Sequence, residues 1–213
     1  MGKAIINAGK RSGSVGGETY AGWKDKTVVK AKSSGGNQPN SNPQKAQKSR
    51  FTMSVALGRL FLATLIRGMK GYSSKMTEMN AFIKLNKDKF TGAFPNQAID
   101  FINLIVSKGS LLIVNMSNTH QGGVTGSINF DLTSNSNGTT GLDTDKLRIA
   151  YCSDDGSVAG DVATAYTRAT TQAILNLVID ANLGGTACFI YPYFTDAAGV
   201  KVSDNTAFAV NLG

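Results

Sequence analysis

The chain has 213 residues, with 22 Lys and Arg, 14 Asp and Glu and one His, which gives a formal net charge of +8 at pH 7. Hydrophobic residues make up 41% of the sequence, enough to build a core, so the composition excludes a disordered, highly charged chain. One histidine and two cysteines also exclude a multi-histidine or four-cysteine zinc site and a disulfide-dense miniprotein.

Residues 1–40 are predicted to form a flexible, basic arm rich in Gly and Ser. They contain eight glycines and few apolar side chains, and glycine loses the most backbone entropy on ordering. Within them, residues 27–31 have a short β-like pattern. We expect the arm to be mobile by itself, or to be ordered only by packing on something else.

Charge is distributed unevenly along the chain. Residues 1–50 carry ten Lys and Arg against two acids, residues 51–100 carry seven against three, and residues 101–213 carry five against nine. A basic N-terminal half joined to an acidic C-terminal half favours an anionic partner for the basic part, or the acidic face of a neighbouring copy.

The segment 41–98 is predicted to be helical. Ser41 or Asn42 can cap a helix whose first turn holds Pro43. Apolar residues then recur at steps of three and four, which predicts one continuous helix over residues 44–69. Glycines at its end weaken and then stop it.

A second, shorter helix is expected over residues 77–85, and a loop around Pro95 follows it. From residue 99 to residue 213 the pattern changes to apolar runs of strand length, separated by turn residues such as Asn-Gly and Asp-Gly. The expected strands cover residues 101–106, 111–114, 128–132, 147–151, 174–179, 187–194 and 207–212. Many short strands in this span predict an antiparallel β-sandwich, Ig-like or jelly-roll-like, so the predicted fold class is α+β.

Other features of the strand region concern single residues. Pro192 lies within an apolar run and favours an edge strand or a bulge there. Cys152 and Cys188 lie in strand-like runs and are expected to be buried thiols, with a disulfide between them left open. Arg59 interrupts the longest apolar stretch, so we expect no membrane span. The start of the chain lacks the apolar run of a secretory signal, which favours a virion or cytoplasmic location.

No motif in the sequence predicts catalysis, and we expect no enzyme activity, no cofactor and no metal site. Lys10 follows a glycine, but the preceding strand and the upstream glycine of a phosphate-binding P-loop are missing. The single histidine, His120, has no Gly-x-Ser-x-Gly nucleophile motif to partner it and is expected to lie in an exposed loop.

Four aspartates lie in two neighbouring polar stretches, at positions Asp143, Asp145, Asp154 and Asp155. The first two lack the glycine and glutamate that complete a calcium-binding EF-hand loop. All four are therefore expected to be turn residues, with weak Ca²⁺ binding as the alternative.

A series of short motifs runs through almost the whole chain. In order they are Gly13-Ser14-Val15-Gly16, Trp23-Lys24, Val28-Val29-Lys30, Asn42-Pro43 with Gln47, Arg50-Phe51, Met76-Thr77, Asn80-Ala81-Phe82-Ile83 and Ser107-Lys108-Gly109-Ser110-Leu111. This order resembles a family of proteins of about the same length, from Bacteroidota and their mobile elements, that is catalogued as a domain of unknown function. The family usually has Lys where Ser14 stands and Gly where Asp25 stands, so a phosphate-loop role for the first motif lacks support. The resemblance implies helices joined to a β-sandwich, and no catalytic residues.

The basic N-terminal part supplies the candidate contact residues for nucleic acid or for neighbouring subunits. They are Lys3, Lys10, Arg11, Tyr20, Trp23, Lys24, Lys26, Lys30, Lys32, Lys45, Lys48 and Arg50. Neutralisation of phosphates by Lys and Arg gives salt-dependent, sequence-independent binding, and aromatic rings can stack on bases. A Gly-rich arm can equally reach a neighbouring subunit and add a strand there.

The sequence favours a non-enzymatic structural protein that self-assembles into a homo-oligomer through its N-terminal arm. Such a protein would be a virion component, from a phage capsid or associated with it, or part of a filament or shell. The alternative is a sequence-independent nucleic-acid-binding protein that uses the same basic arm. A third hypothesis, a carbohydrate- or surface-binding module, depends on the sandwich and on Tyr191 and Tyr193.

Overall fold

A computed structural model describes residues 4–6, 13–23, 26–32, 41–73, 75–183 and 185–212. The chain divides into two compact units, Met1–Asn40 and Ser41–Gly213. This division falls where the sequence analysis places the end of the arm. The second unit contains both the predicted helical segment and the predicted strand region, because the helices and the strands share a core.

The described residues of the first unit form a four-stranded antiparallel sheet rather than an extended arm. The strands are β1 Ala4–Ile6, β2 Gly13–Val15, β3 Glu18–Trp23 and β4 Lys26–Ala31, in the order β1-β4-β3-β2. A two-residue turn at Gly16 and Gly17 joins β2 to β3, and Gly16 has a φ of 55°, a conformation that favours glycine. Some of the glycines taken as a sign of an arm therefore serve a hairpin.

Three helices open the second unit: α1 Asn42–Leu60, α2 Leu62–Gly68 and α3 Glu78–Asn86. Ser41 caps α1 in a capping box, since its hydroxyl accepts from the Gln44 amide at 3.4 Å and its own amide donates to the Gln44 side chain at 3.3 Å. Thr77 caps α3, since its hydroxyl accepts from the Asn80 amide at 3.2 Å. Both helix starts agree with the sequence analysis.

The prediction of one continuous helix over residues 44–69 is wrong. The chain bends by 82° between α1 and α2, and the break falls at Phe61. Phe61, Leu65 and Met69 are fully buried in one core cluster together with Leu57 of α1. A straight helix would carry these side chains out along its axis, whereas the bend keeps them over the same core. Among the described residues, no single helix is long and apolar enough to cross a membrane.

The remaining strands form three antiparallel sheets. They are β5 Phe90–Gly92, β6 Gln97–Ile99, β7 Met116–Gln121, β8 Ser127–Leu132, β9 Lys146–Ser153, β10 Ala159–Thr167, β11 Gln172–Val178, β12 Ala187–Thr195 and β13 Phe208–Asn211. One sheet has the order β10-β9-β12-β13, one the order β11-β8-β7, and β5 pairs with β6. The fold is therefore α+β and mostly β, as predicted at this level. The Ig-like or jelly-roll-like sandwich stays a prediction.

The four-stranded sheet of the second unit separates two hydrophobic cores. Ile149 and Ile190 lie in the core shared with the three-stranded sheet, while Ala150 and Tyr191 lie in the core shared with the helices. Alternate residues of a strand point to opposite faces, so β9 and β12 are buried on both sides. This explains their long apolar runs.

The two cysteines occupy opposite faces of this sheet. Cys152 belongs to the core under the helices and Cys188 to the core between the sheets, and both are buried, free thiols. Burial raises the pKa of each thiol to about 12, so neither is a thiolate at neutral pH. Because their side chains point to opposite faces, the two sulfurs do not pair across β9 and β12.

Pro192 lies in β12, which pairs with β9 on one side and with β13 on the other, so the strand as a whole is not the edge strand of the prediction, although Pro192 itself has a ladder partner on one side alone. The proline is tolerated because β13 pairs only with Ala187 to Ile190. Pro192 lies beyond the end of that ladder, and it faces Ile149 of β9 on the other side.

The strands predicted over residues 101–106 and 111–114 are not present as ladders. A 3₁₀ turn covers Phe101–Asn103, and the extended chain that follows forms a single bridge, between Leu111 and Ser203. Two asparagine side chains take the place of neighbouring strands. Asn86 of α3 both donates to the Ile105 carbonyl and accepts from its amide, each at 2.8 Å.

Asn205 holds the other side of this segment. Its amide nitrogen donates to the Leu104 carbonyl at 3.0 Å, and its amide oxygen accepts from Val106 at 2.9 Å and from Ser107 at 3.1 Å. Side-chain amides can satisfy buried backbone groups as a strand would, which an apolar run alone does not reveal.

We expect Asn205→Ala to lower the free energy of unfolding by about 2–4 kcal/mol, because it leaves several backbone groups in the buried segment without partners. Chemical denaturation of the full chain measures the change. The matched control is Asn103→Ala, since the exposed Asn103 side chain has hydrogen bonds to Asp100 alone among the described residues. Equal losses in the two variants would contradict the clamp.

Candidate functional site

The predicted contact residues divide between the two units. Lys3, Lys10, Arg11 and Lys24 lie outside the described residues. Tyr20, Trp23, Lys26, Lys30 and Lys32 belong to the N-terminal sheet or the residue after it, and Lys45, Lys48 and Arg50 belong to α1 of the second unit.

Strand register separates the two aromatics of the first unit. Trp23 of β3 pairs with Lys26 of β4, and Thr19 pairs with Lys30. Positions 23, 26 and 30 therefore share one face of the sheet, whereas Tyr20 falls on the other. The Tyr20 hydroxyl donates to the Glu18 carboxylate at 2.8 Å.

Basic charge is also concentrated in the helical part of the second unit, residues 41–100, which we call the helical layer. Its ten cations are Lys45, Lys48, Arg50, Arg59, Arg67, Lys70, Lys75, Lys84, Lys87 and Lys89, against three acids. Among the described residues, Arg67 alone of these cations forms an ion pair with a carboxylate. The sequence indicated a basic N-terminal half, but the predicted contact residues end at Arg50 and leave out Lys84, Lys87 and Lys89.

A groove of about 310 Å³ runs between α1 and the end of α3. Phe51, Ile83 and Phe90 supply its apolar surface, and Phe51 is 59% exposed. Arg50 and Lys87 line the same groove. We call this feature the α1–α3 groove.

The charged groups of the α1–α3 groove are only partly committed to the fold. Arg50 donates from Nε and Nη2 to the Gly92 carbonyl, the first at 3.2 Å. It has no carboxylate partner among the described residues, and neither has Lys87. Asp88 is the acidic residue on the rim. The groove therefore combines an apolar floor with a small excess of positive charge.

Asp145 closes a turn, as expected, because its carboxylate accepts from the Leu142 amide, and it is also a buried structural residue. Its side chain and that of Arg168 are fully buried, and they form an ion pair at 2.9 Å. Arg168 also donates to the Asn135 side chain at 2.6 Å and to the Leu112 carbonyl at 2.9 Å. Its guanidinium lies 4.0 Å from the centre of the Phe194 ring.

Within the described residues, no three His, Cys, Asp or Glu side chains gather where they could hold a metal ion. Asp155 instead accepts from the Ser153 hydroxyl at 2.6 Å and from the Ser157 amide at 2.9 Å. These bonds, that from Ser153 above all, lower the pKa of Asp155 to about 2. His120 is exposed, but it lies in β7 opposite Asn129 rather than in a loop.

A second carboxylate ties the helices to the central sheet. Asp161 of β10 accepts from Arg67 of α2 at 3.0 Å and from Arg148 of β9 at 2.8 Å. The Tyr193 hydroxyl donates to the same carboxylate at 3.2 Å. Tyr193 and Tyr191 are fully buried, and burial raises the pKa of both. Neither ring is available to a carbohydrate at the surface, which removes the basis of that hypothesis.

The motif Ser107-Lys108-Gly109-Ser110 also serves the architecture. The Ser107 hydroxyl donates to the Ser203 carbonyl at 2.6 Å, and the Gly109 amide donates to the Asp204 side chain at 3.0 Å. A Cβ on Gly109 would overlap the Val202 carbonyl, so only glycine fits there. These contacts join the segment to the C-terminal part of the chain.

These features define an α+β, mostly β protein whose buried polar groups hold its layers together. The chain belongs to the family of unknown function DUF6266, whose model matches residues 8–209. The resemblance to a family of unknown function is thereby confirmed, while the origin in Bacteroidota or mobile elements stays a prediction.

Comparisons with other proteins add little on function. No curated protein matches the chain. A similar solved structure is the adhesin domain of Epf from Streptococcus pyogenes, with 13% identity and a TM-score of 0.30 over 47% of this chain and 32% of that chain. A likeness at this level carries no argument about fold or function.

We expect Arg168→Met to destabilise the second unit by about 3–5 kcal/mol, because it leaves the Asp145 charge buried without a partner. The matched control is Lys108→Met, which breaks the half-exposed ion pair with Asp204 and should cost at most about 1 kcal/mol. Urea denaturation of both variants compares the two losses. Similar losses would contradict the structural role of the buried pair.

Proposed function

We propose that this is a non-enzymatic structural protein that assembles with copies of itself through its N-terminal unit. The observation that supports the proposal is the edge of the N-terminal sheet at β2. Among the described residues, β2 has a partner strand on one side only, its three residues are exposed, and Val15 is 72% exposed. Edge strands present unpaired N–H and C=O groups that a strand of another chain can pair with.

The use of polar groups inside the second unit supports the same proposal. Four polar side chains join one layer or loop of the second unit to another, namely Asp145, Asp161, Asn86 and Asn205. A stiff body with a separate, strand-forming unit suits a protein that repeats in an assembly. We propose a virion, filament or shell as the setting.

We expect Val15→Lys to shift the assembly to smaller species, because a lysine on an edge strand opposes strand addition by another chain. Light scattering of the full chain across a concentration series at low salt measures the mass. Ala56→Lys on the exposed side of α1 is the control for added charge. An unchanged mass for Val15→Lys, or an equal loss in the control, would contradict assembly through β2.

A second candidate function, sequence-independent binding of nucleic acid through the basic N-terminal half, is favoured by the unpaired cations of the helical layer. Lys84, Lys87 and Lys89 lie at the end of α3 and in the turn after it, without carboxylate partners among the described residues. Cations of this kind release counterions when they neutralise phosphates.

For this second candidate, replacing Lys84, Lys87 and Lys89 together by Gln should reduce the slope of log affinity against log salt by about 2–3 on duplex DNA. Fluorescence anisotropy with a labelled duplex at several salt concentrations gives the slope. The double variant Lys146→Gln and Lys201→Gln, in the acidic half of the chain, is the control and should leave the slope near that of the wild type. If the wild type does not bind DNA, the proposed nucleic-acid-binding function is wrong.

A further inference from the structure

The loop over residues 137–145 is rigid although it lies at the surface. The Asn137 side chain accepts from the Thr139 amide at 3.0 Å and from the Gly141 amide at 2.9 Å. The buried Asp145 carboxylate, held by Arg168, accepts from the Leu142 amide at 3.0 Å. The loop therefore has little conformational entropy left to lose when it binds.

This rigid loop displays an apolar residue beside an acidic one. Leu142 is 44% exposed, although its backbone amide is fixed to the core. The Asp143 side chain is exposed and forms no ion pair with a described residue. Leu142 and Asp143 therefore present an apolar side chain and a carboxylate side by side, a combination that fits a partner surface with apolar and positively charged groups.

The α1–α3 groove has the complementary chemistry. Its floor offers Phe51 and Ile83 to an apolar side chain, and Arg50 and Lys87 offer positive charge to a carboxylate. Complementarity also extends beyond these residues. The helical layer carries ten cations against three acids, whereas residues 101–213 carry five against nine. Charge of opposite sign on two surfaces steers and orients association between copies.

We propose that the α1–α3 groove of one copy binds Leu142 and Asp143 of a second copy of this chain. The inference rests on the proposed self-assembly and adds a contact to the one at β2. The groove belongs to the helical layer and the loop connects β8 to β9, so each copy offers two different surfaces. A contact of this heterologous kind repeats head to tail, and it builds a ring or a filament.

Charge reversal in the full chain tests the pairing. Lys87→Glu and Asp143→Lys should each weaken association at least about tenfold, because each places like charges in contact. The variant that carries both changes restores opposite charges and should associate within about threefold of the wild type. Analytical ultracentrifugation at low salt measures the dissociation constants, and thermal unfolding shows that each variant remains folded.

Two single variants control for net charge. Lys75→Glu and Asp154→Lys make the same charge changes at exposed residues outside the groove and the loop, and they should associate as the wild type does. If the groove and loop variants associate normally while Val15→Lys loses association, the docking inference fails and the proposed function stands. Failure of the combined variant to recover would also overturn the pairing. A wild type that stays monomeric at all concentrations would overturn both.

Discussion

The ion pair between Arg168 and Asp145 is the interaction on which the arrangement of the β region depends. Both side chains are fully buried, so neither charge has water to solvate it. The arginine is satisfied only because Asn135, Leu112 and the Phe194 ring surround it. Desolvating two charges is expensive and is repaid only when geometry and further hydrogen bonds are good. The pair is therefore satisfied only when the loops bring these groups around Arg168. It also holds the 137–145 loop against the core.

A second constraint acts between the helices and the strands. Residues 104–107, which follow β6, belong to no strand, and Asn86 and Asn205 supply the hydrogen bonds that a neighbouring strand would otherwise give. Asp161 of β10 links α2 to the four-stranded sheet, because its carboxylate forms ion pairs with both Arg67 and Arg148. Hydrogen bonds and ion pairs are directional, whereas apolar packing is not, so these contacts fix how the layers lie against each other. Side chains of α3, β10 and the C-terminal segment therefore connect the layers of the second unit.

The uneven distribution of charge along the chain corresponds to different parts of the second unit. Nine of the ten cations of the helical layer, all but Arg67, have no carboxylate partner among the described residues, while residues 101–213 carry more acids than cations. The N-terminal unit adds a small sheet with an exposed edge at β2. Two surfaces of opposite charge and one open sheet edge suit contacts between repeated copies. They suit an anionic polymer as well, and the salt dependence of each process separates the two.

Short sequence patterns were sufficient to predict the helices and strands whose signal lies within a few residues. The start of α1 was predicted from a cap at Ser41 or Asn42, because a capping side chain acts on its own first turn, and the cap is Ser41. Alternation around Phe130 and Ile149 predicted β8 and β9, since one or both faces of each strand are buried. The strands β5 and β6 were missed, because they lie where a loop around Pro95 was predicted, and β7 and β10 were missed because their polar residues give no such alternation.

By itself the sequence determined the fold class, the helix caps, the turns and the basic-to-acidic division of the chain, because composition and short-range hydrogen bonding decide these. Tertiary structure decided the rest. The bend at Phe61 follows from a core shared with α3. The absence of a strand after Leu104 follows from an asparagine 101 residues away. The α1–α3 groove brings Arg50 and Lys87 into the same lining, although they are distant in the chain. Each of these depends on residues that are distant in the chain and meet only in the folded protein, which no local period or spacing encodes.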